Sequence, residues 1–154
     1  MFVFFFGAAS PFSQWHPCTF VVDGCTFNCA EQLMMHGKAQ LFGDREIAAK
    51  MLATSAPKQH KALGRKVAGF DDARWREART GIVKAGNRAK FTQNPELLAQ
   101  LQATRGTTLV EASPRDRIWG IGLSANDPRA QDRATWRGQN LLGQILTELR
   151  DELA

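Results

Sequence analysis

Hydrophobic and polar positions change period several times along this chain, and each change marks a short element. Residues 1–9 are apolar, and Phe2, Phe4 and Phe6 recur at the spacing of two that puts them on one side of an initial strand. Phe20-Val21-Val22 and Cys25-Thr26-Phe27 flank Asp23-Gly24, the dipeptide that suits a two-residue hairpin turn. Helical spacing follows. Asn28 can cap a first helix, with Glu31 at the third position of a capping box and Leu33, Met34, Leu41 and Phe42 supplying apolar contacts. Asp44 opens a second helix over residues 44–52, and Ser55, with Pro57 tolerated in the first turn, opens a third running toward Lys66. Asp72 can cap a longer helix carrying Trp75, Ile82 and Val83, in which Gly81 and Gly86 either weaken the interior or allow close approach. Asn94-Pro95-Glu96 starts another, ahead of Leu97, Leu98 and Leu101.

After Gly106 the pattern returns to strands. Residues 107–110 and 118–123 read as two short strands, and Ser113-Pro114-Arg115-Asp116 falls in the loop that joins them. Asp127-Pro128 begins a turn, and a last helix is expected to start near Arg137 and run through Leu141, Leu142, Ile145, Leu146 and Leu149. This order predicts an α+β fold, mainly helical with short strands. The absence of repeats, long linkers and low-complexity stretches predicts one domain over residues 1–154.

Composition narrows the classes. At 154 residues and 44% hydrophobic, the chain can bury a sizeable core without disulfides or metals. Its three cysteines, Cys18, Cys25 and Cys29, form no CxxC pair and cannot close a disulfide framework, so a reducing, cytoplasmic setting is expected. A zinc site from His16, Cys18, Cys25 and Cys29 lacks paired-ligand spacing; no metal is expected and buried thiols explain these residues. The apolar start has no basic leading region and is too short to cross a bilayer, so no membrane partner is expected. Oligomeric state is not legible. The formal charge of +5 suits anionic partners better than cationic ones, although many proteins that bind no polyanion share it. Lys58, His60, Lys61, Arg65 and Lys66 form a basic cluster that is either a phosphate or nucleic-acid surface or a solvated helical face.

Two places carry candidate chemistry. Glu31 and Lys38 are seven residues apart, nearly two helical turns, so both lie on one face about 10 Å apart along the axis and can flank a ligand. A helix cap also explains Glu31, and an amphipathic stem also explains Lys38. The run from Ser113 to Gly122 joins charged groups to Trp119, Gly120 and Gly122; it can hold a base, sugar or phosphate, or be a solvated turn feeding a strand. Asp116 there is either a sugar ligand or a loop cap, and Trp119 either a stacking surface or core. Arg65 and Arg137, with amides near Gly120 or Gly138, suit phosphate, while a surface role or a cap explains them too. Asn140 and Asn87 can bind sugar or base or pack helices. His16, His36 and His60 lack triad-like partners.

The chain resembles the NADAR superfamily, also called YbiA-like, over essentially its whole length. The matching blocks are Ser10-Pro11-Phe12-Ser13-Gln14-Trp15, Glu31-Gln32-Leu33-Met34-Met35 with Lys38-Ala39, Gly64-Arg65, Gly86-Asn87-Arg88-Ala89-Lys90-Phe91, the run from Leu109 to Gly122, and Trp136-Arg137-Gly138-Gln139-Asn140-Leu141-Leu142-Gly143. The resemblance implies a compact, mainly helical α+β protein that cleaves N-glycosidic bonds. One branch of the family acts on early riboflavin-pathway intermediates, and another removes ADP-ribose from modified guanine in nucleic acid. It places Glu31, Lys38 and Asp116 in the catalytic region and Trp15, Arg65, Asn87, Trp119, Gly120, Arg137 and Asn140 around the substrate, with no cofactor. The expected substrate is ADP-ribosylated guanine in nucleic acid, the alternatives being a phosphorylated ribosylaminopyrimidine metabolite or non-catalytic binding of ADP-ribose or a nucleotide. Two departures bear on selectivity: Ser13-Gln14-Trp15-His16-Pro17 replaces the usual Asn and aromatic, and Leu33-Met34-Met35 is apolar where some relatives carry aromatic or histidine residues.

Overall fold

Asp23 (φ 50°) and Gly24 (φ 78°) both take left-handed backbone, and this folds Phe20–Val22 (β2) back onto Cys25–Phe27 (β3). Phe20 pairs with Phe27, Val21 with Thr26 and Val22 with Cys25, as the alternation predicts. The structure, a computed structural model, describes residues 1–154. Besides the hairpin it contains β1 (Phe2–Phe5), β4 (Thr108–Glu111), and helices α1 (Ala30–Leu41), α2 (Arg45–Leu52), α3 (Pro57–Gly64), α4 (Asp72–Thr92), α5 (Pro95–Gln102) and α6 (Leu141–Glu152). Two 3₁₀ turns, Pro128–Gln131 and Arg133–Thr135, follow Asp127. The fold class is therefore α+β and mainly helical. The residue contacts gather into two units, Gln14–Asn94 and the combination of Met1–Ser13 with Pro95–Ala154.

In the Gln14–Asn94 unit, α1 packs against α2, α3 and α4, and eight of its twelve residues are buried. A helix buried nearly all round needs close neighbours, and Gly86 of α4 supplies one: a Cβ there would run into the Leu33 side chain. Phe20 and Phe27 stack at 5.7 Å and pack on Leu33, each buried ring contributing roughly 1.5–3 kcal/mol. Gln93 ties the hairpin to the end of α4, accepting from the Val21 N–H and donating to the Val21 carbonyl, both at 2.8 Å.

Helix starts differ from expectation by one residue in several places, and the side chains explain why. Asp44 caps α2 by accepting the Ile47 N–H at 3.0 Å, as read from the sequence. Asp71, rather than Asp72, caps α4, accepting from Ala73 and Arg74 at 2.9 and 3.4 Å. Ala56, not Ser55, precedes α3, with Pro57 in its first turn. Asn28 does not cap α1: the N-cap is Cys29, whose side chain makes no capping bond.

In the second unit β1 pairs in parallel with β4, from Phe2 opposite Thr108 to Phe5 opposite Glu111. Phe2 and Phe4 pack on Val110, Ile121, Leu123 and Ala130, whereas Phe6 lies beyond the strand and is exposed. α6 packs on β4 through a stripe of Leu142, Ile145, Leu146 and Leu149. The strand expected at residues 118–123 does not form. Gly122 (φ 70°) bends the chain, and the segment bonds to turn amides instead of a ladder: Arg137, Asn140, Leu141 and Leu142 N–H groups donate to the carbonyls of Ile121, Gly120, Ile118 and Trp119 at 2.9–3.1 Å. Those same bonds occupy residues 137–140, so α6 begins at Leu141 rather than near Arg137.

Candidate active site

Glu31 stands in the first turn of α1, and its backbone N–H donates to the Gln14 carbonyl at 2.9 Å. Its side chain is 5% exposed. The capping-box role falls to its neighbour: Gln32 Oε1 accepts the Asn28 N–H at 2.8 Å, while Gln32 Nε2 donates to the carbonyls of Met51 and Thr54 at 3.0 and 3.2 Å. With Cys29 as the N-cap, Gln32 and not Glu31 stands at the third helical position. Glu31 thus places a carboxyl group at the positive end of the α1 dipole.

Lys38, nearly two turns along α1, is half-buried between aromatic rings. Its Nζ lies 4.7 Å from the centroid of Phe70, in the segment between α3 and α4, and 5.7 Å from that of Trp75 in α4. Burial lowers the Lys38 pKa from the ordinary lysine value, and the Glu31 carboxylate works in the opposite direction. The ring faces also favour the ammonium. An amine so placed reaches its neutral, nucleophilic form more readily than a solvated lysine. Phe42 meets Phe70 edge-on at 5.5 Å, and the Arg74 guanidinium lies 5.4 Å from the Phe42 ring. The sequence singled out neither Phe70 nor Arg74, since both carry ordinary surface or core identities.

Asn87, fully buried in α4, donates from Nδ2 to Gln14 Oε1 and to the Val83 carbonyl, both at 2.9 Å. Its Oδ1 is buried with no hydrogen-bond partner within the protein. Asn87 therefore reaches the first turn of α1 through Gln14, which also contacts the Met34 sulfur at 3.9 Å. Trp15 is partly exposed, next to Gln14. Arg65 is the exposed C-cap residue of α3, and its N–H donates to the Lys61 carbonyl. The basic cluster of residues 58–66 divides: Lys58, Lys61, Arg65 and Lys66 are exposed, whereas His60 is buried, with Nε2 2.5 Å from the Thr54 carbonyl and Nδ1 3.7 Å from Cys29 Sγ. His60 is thus withdrawn from any phosphate surface. Lys90 is fully buried against Phe91, and desolvation pushes its pKa down to about 8.

The other residues singled out from the sequence lie in the second unit. Asp116 Oδ1 accepts the N–H groups of Ile118 and Trp119 at 2.9 and 2.8 Å, so it is a loop cap whatever else it does. Trp119 is half-buried. Gly120 is packed so closely that a Cβ would sit 2.9 Å from the Glu111 carbonyl. The Arg137 side chain is exposed, and its backbone N–H is bonded to Ile121. Asn140 (φ 54°) is fully buried; Oδ1 accepts the Glu111 N–H at 3.0 Å and Nδ2 donates to the Leu109 carbonyl at 3.1 Å. Its amide covers the edge of β4 that β1 leaves open, which accounts for the residue through packing.

The NADAR domain family matches residues 4–154. The chain is 43% identical to an N-glycosidase of Acanthamoeba polyphaga mimivirus over 162 residues, covering 98% of this chain and 95% of that protein. It is 31% identical to N-glycosidase YbiA of Escherichia coli (strain K12), covering 97% of this chain and 82% of that protein. The NMR structure of the E. coli protein YbiA superposes with a TM-score of 0.80 at 28% identity, covering 99% of this chain and 84% of that one. Both sequence relatives are N-glycosidases, and the solved structure shares the mainly helical α+β fold. The chain belongs to the NADAR family, and it is an N-glycosidase.

Proposed function

We propose that this enzyme removes ADP-ribose from modified guanine in nucleic acid, with Lys38 as the nucleophile and Glu31 as the proton-transfer group. The observation that carries the chemistry is the pairing on α1 of a buried carboxyl group with an amine whose burial lowers its pKa. The net charge of +5, and the exposed Lys58, Lys61, Arg65 and Lys66, favour a polyanionic substrate.

The steps balance with one water consumed. The neutral Nζ of Lys38 forms a bond to the anomeric carbon as the bond from that carbon to the base nitrogen breaks, and the base leaves with a proton from Glu31. The ring oxygen then takes a proton from the attached nitrogen, opening the sugar and leaving an imine between Lys38 and the ribose chain. Water, deprotonated by Glu31, adds to the imine carbon. Collapse returns the amine and releases ADP-ribose. Glu31 donates in the first step and accepts in the hydrolysis, so one carboxyl serves both directions of proton flow.

A paired product assay tests this reading. Wild-type protein is incubated with DNA carrying ADP-ribosylated guanine and, separately, with the phosphorylated ribosylaminopyrimidine. Release of ADP-ribose from the first at the higher kcat/KM is expected; preference for the second moves the assignment to the small metabolite. Borohydride added during turnover is expected to leave a mass adduct on Lys38. Full turnover with no adduct under effective trapping assigns the reaction to water activated directly by Glu31.

A further inference from the structure

Phe70 is a large aromatic residue that is 47% exposed, yet the chain on both sides of it is anchored. Upstream, Asp44 Oδ2 accepts the Ala68 N–H at 2.9 Å while Oδ1 caps α2, so the segment is fastened to the α1–α2 junction. Downstream, Asp71 caps α4. Phe42 holds the ring edge-on at 5.5 Å, with an interplanar angle of 66°, and Phe42 is itself backed by Arg74, which donates to the Leu41 carbonyl at 3.2 Å. The exposure of Phe70 is therefore a built feature of the Gln14–Asn94 unit. Burying an aromatic ring is favourable, and here an ordered ring is left partly in water beside the Lys38 amine, 4.7 Å from its centroid.

We infer that Phe70 is the stacking platform for the planar heterocycle that leaves when the glycosidic bond breaks. The inference rests on the N-glycosidase reading of Glu31 and Lys38 and adds to it a base subsite. A purine or aminopyrimidine offset on the Phe70 ring presents its edge, where the bond to the anomeric carbon emerges, toward Nζ. Stacking tolerates different bases because each has a π-face, so Phe70 recognises the class of leaving group while leaving the choice among bases to other contacts. Asp44 acts through Ala68 as a positioning residue for this platform.

The test compares wild type, Phe70→Trp and Phe70→Leu. Guanosine and ribose 5-phosphate serve as inhibitors of turnover, and guanosine is also titrated calorimetrically into each protein. Phe70→Leu is expected to weaken guanosine binding about 5- to 100-fold and to raise KM in step. Inhibition by ribose 5-phosphate is expected to stay within about two-fold, and Phe70→Trp to retain guanosine binding. Because Phe70 is part-exposed, all three proteins are expected to melt within a few degrees of one another. A folded Phe70→Leu enzyme with unchanged KM and unchanged guanosine affinity overturns the platform and leaves the glycosidase intact. Wild type that releases no product from either substrate overturns the underlying reading, and the calorimetric comparison, which needs no turnover, then still decides whether Phe70 binds the base.

Discussion

Gln32 Oε1 accepts the Asn28 N–H at 2.8 Å, and this one bond separates two neighbouring residues of similar shape into different tasks. Gln32 ties down the start of the helix; Glu31 beside it is the proposed proton-transfer group. Gln32→Ala leaves the Asn28 N–H and the carbonyls of Met51 and Thr54 without those partners, and is expected to lower unfolding free energy by about 2–3 kcal/mol in urea titrations. Glu31→Gln is expected to change stability by less than about 1 kcal/mol and to lower kcat about 10²- to 10⁴-fold. A Glu31→Gln protein as active as wild type would remove Glu31 from the mechanism.

In the proposed reaction the Lys38 amine attacks in its neutral form, so kcat/KM is expected to rise with pH along a limb whose midpoint lies below the ordinary lysine value, because burial disfavours the ammonium. The Glu31 carboxylate raises this pKa, so the residual activity of Glu31→Gln is expected to show the limb displaced to lower pH. Lys38→Arg keeps the charge but cannot form the imine and is expected to be inactive while folding normally. A pH–rate series on the three proteins checks the direction of the shift.

Lys90 links stability to pH with a definite sign. Its folded pKa is about 8, below the unfolded value, so between pH 8 and about 10 the unfolded chain holds a proton that the folded chain has released. Wild type is therefore expected to gain stability over Lys90→Met as pH rises through that window, by up to about 3 kcal/mol. Burial also raises the pKa of Cys18 and of Cys29, the latter to about 11, and this acts in the reverse sense above pH 9. Lys90 itself lowers the Cys18 pKa, so the difference in urea midpoints is read for Lys90 between pH 8 and 9, before the thiols ionise. A gap independent of pH would show that the amine is charged throughout.

Asn140 is predicted to matter through β4. Asn140→Asp replaces the donor to the Leu109 carbonyl with a carboxylate oxygen and is expected to cost about 2–4 kcal/mol. Activity measured well below the melting temperature is expected to track the folded fraction. A folded Asn140→Asp protein with a raised KM would instead give the amide a part in binding.

Asp116 separates a loop role from a charge role. Asp116→Asn keeps an oxygen for the Ile118 and Trp119 N–H groups, and its melting temperature is expected to match wild type, whereas Asp116→Ala is expected to cost about 1–2 kcal/mol. Lower activity in the stable Asp116→Asn protein is the expected mark of a carboxylate that acts on the sugar.

Much of the local architecture was legible before the fold was known. The hairpin at Asp23-Gly24, the starts at Asp44 and Asn94-Pro95, and the stripe of α6 follow from turn chemistry, capping and periodicity, each encoded within a few residues. The seven-residue interval from Glu31 to Lys38 likewise placed both on one helical face. Residues 118–123 misled because their apolar alternation is strand-like, while Gly122 and the amides of residues 137–142 supplied a different set of partners.

What one chain could state by itself was therefore its elements, its family blocks and an acid and amine in register. Tertiary structure decided what each side chain meets. Gln32 bonds the carbonyls of Met51 and Thr54, Asn140 is engaged by β4, Asp44 fastens Ala68 from 24 positions away, and the Phe70 ring meets the Lys38 amine. Capping and periodicity depend on neighbours along the chain, whereas burial, pKa and hydrogen-bond partners depend on groups that meet only when distant segments fold together.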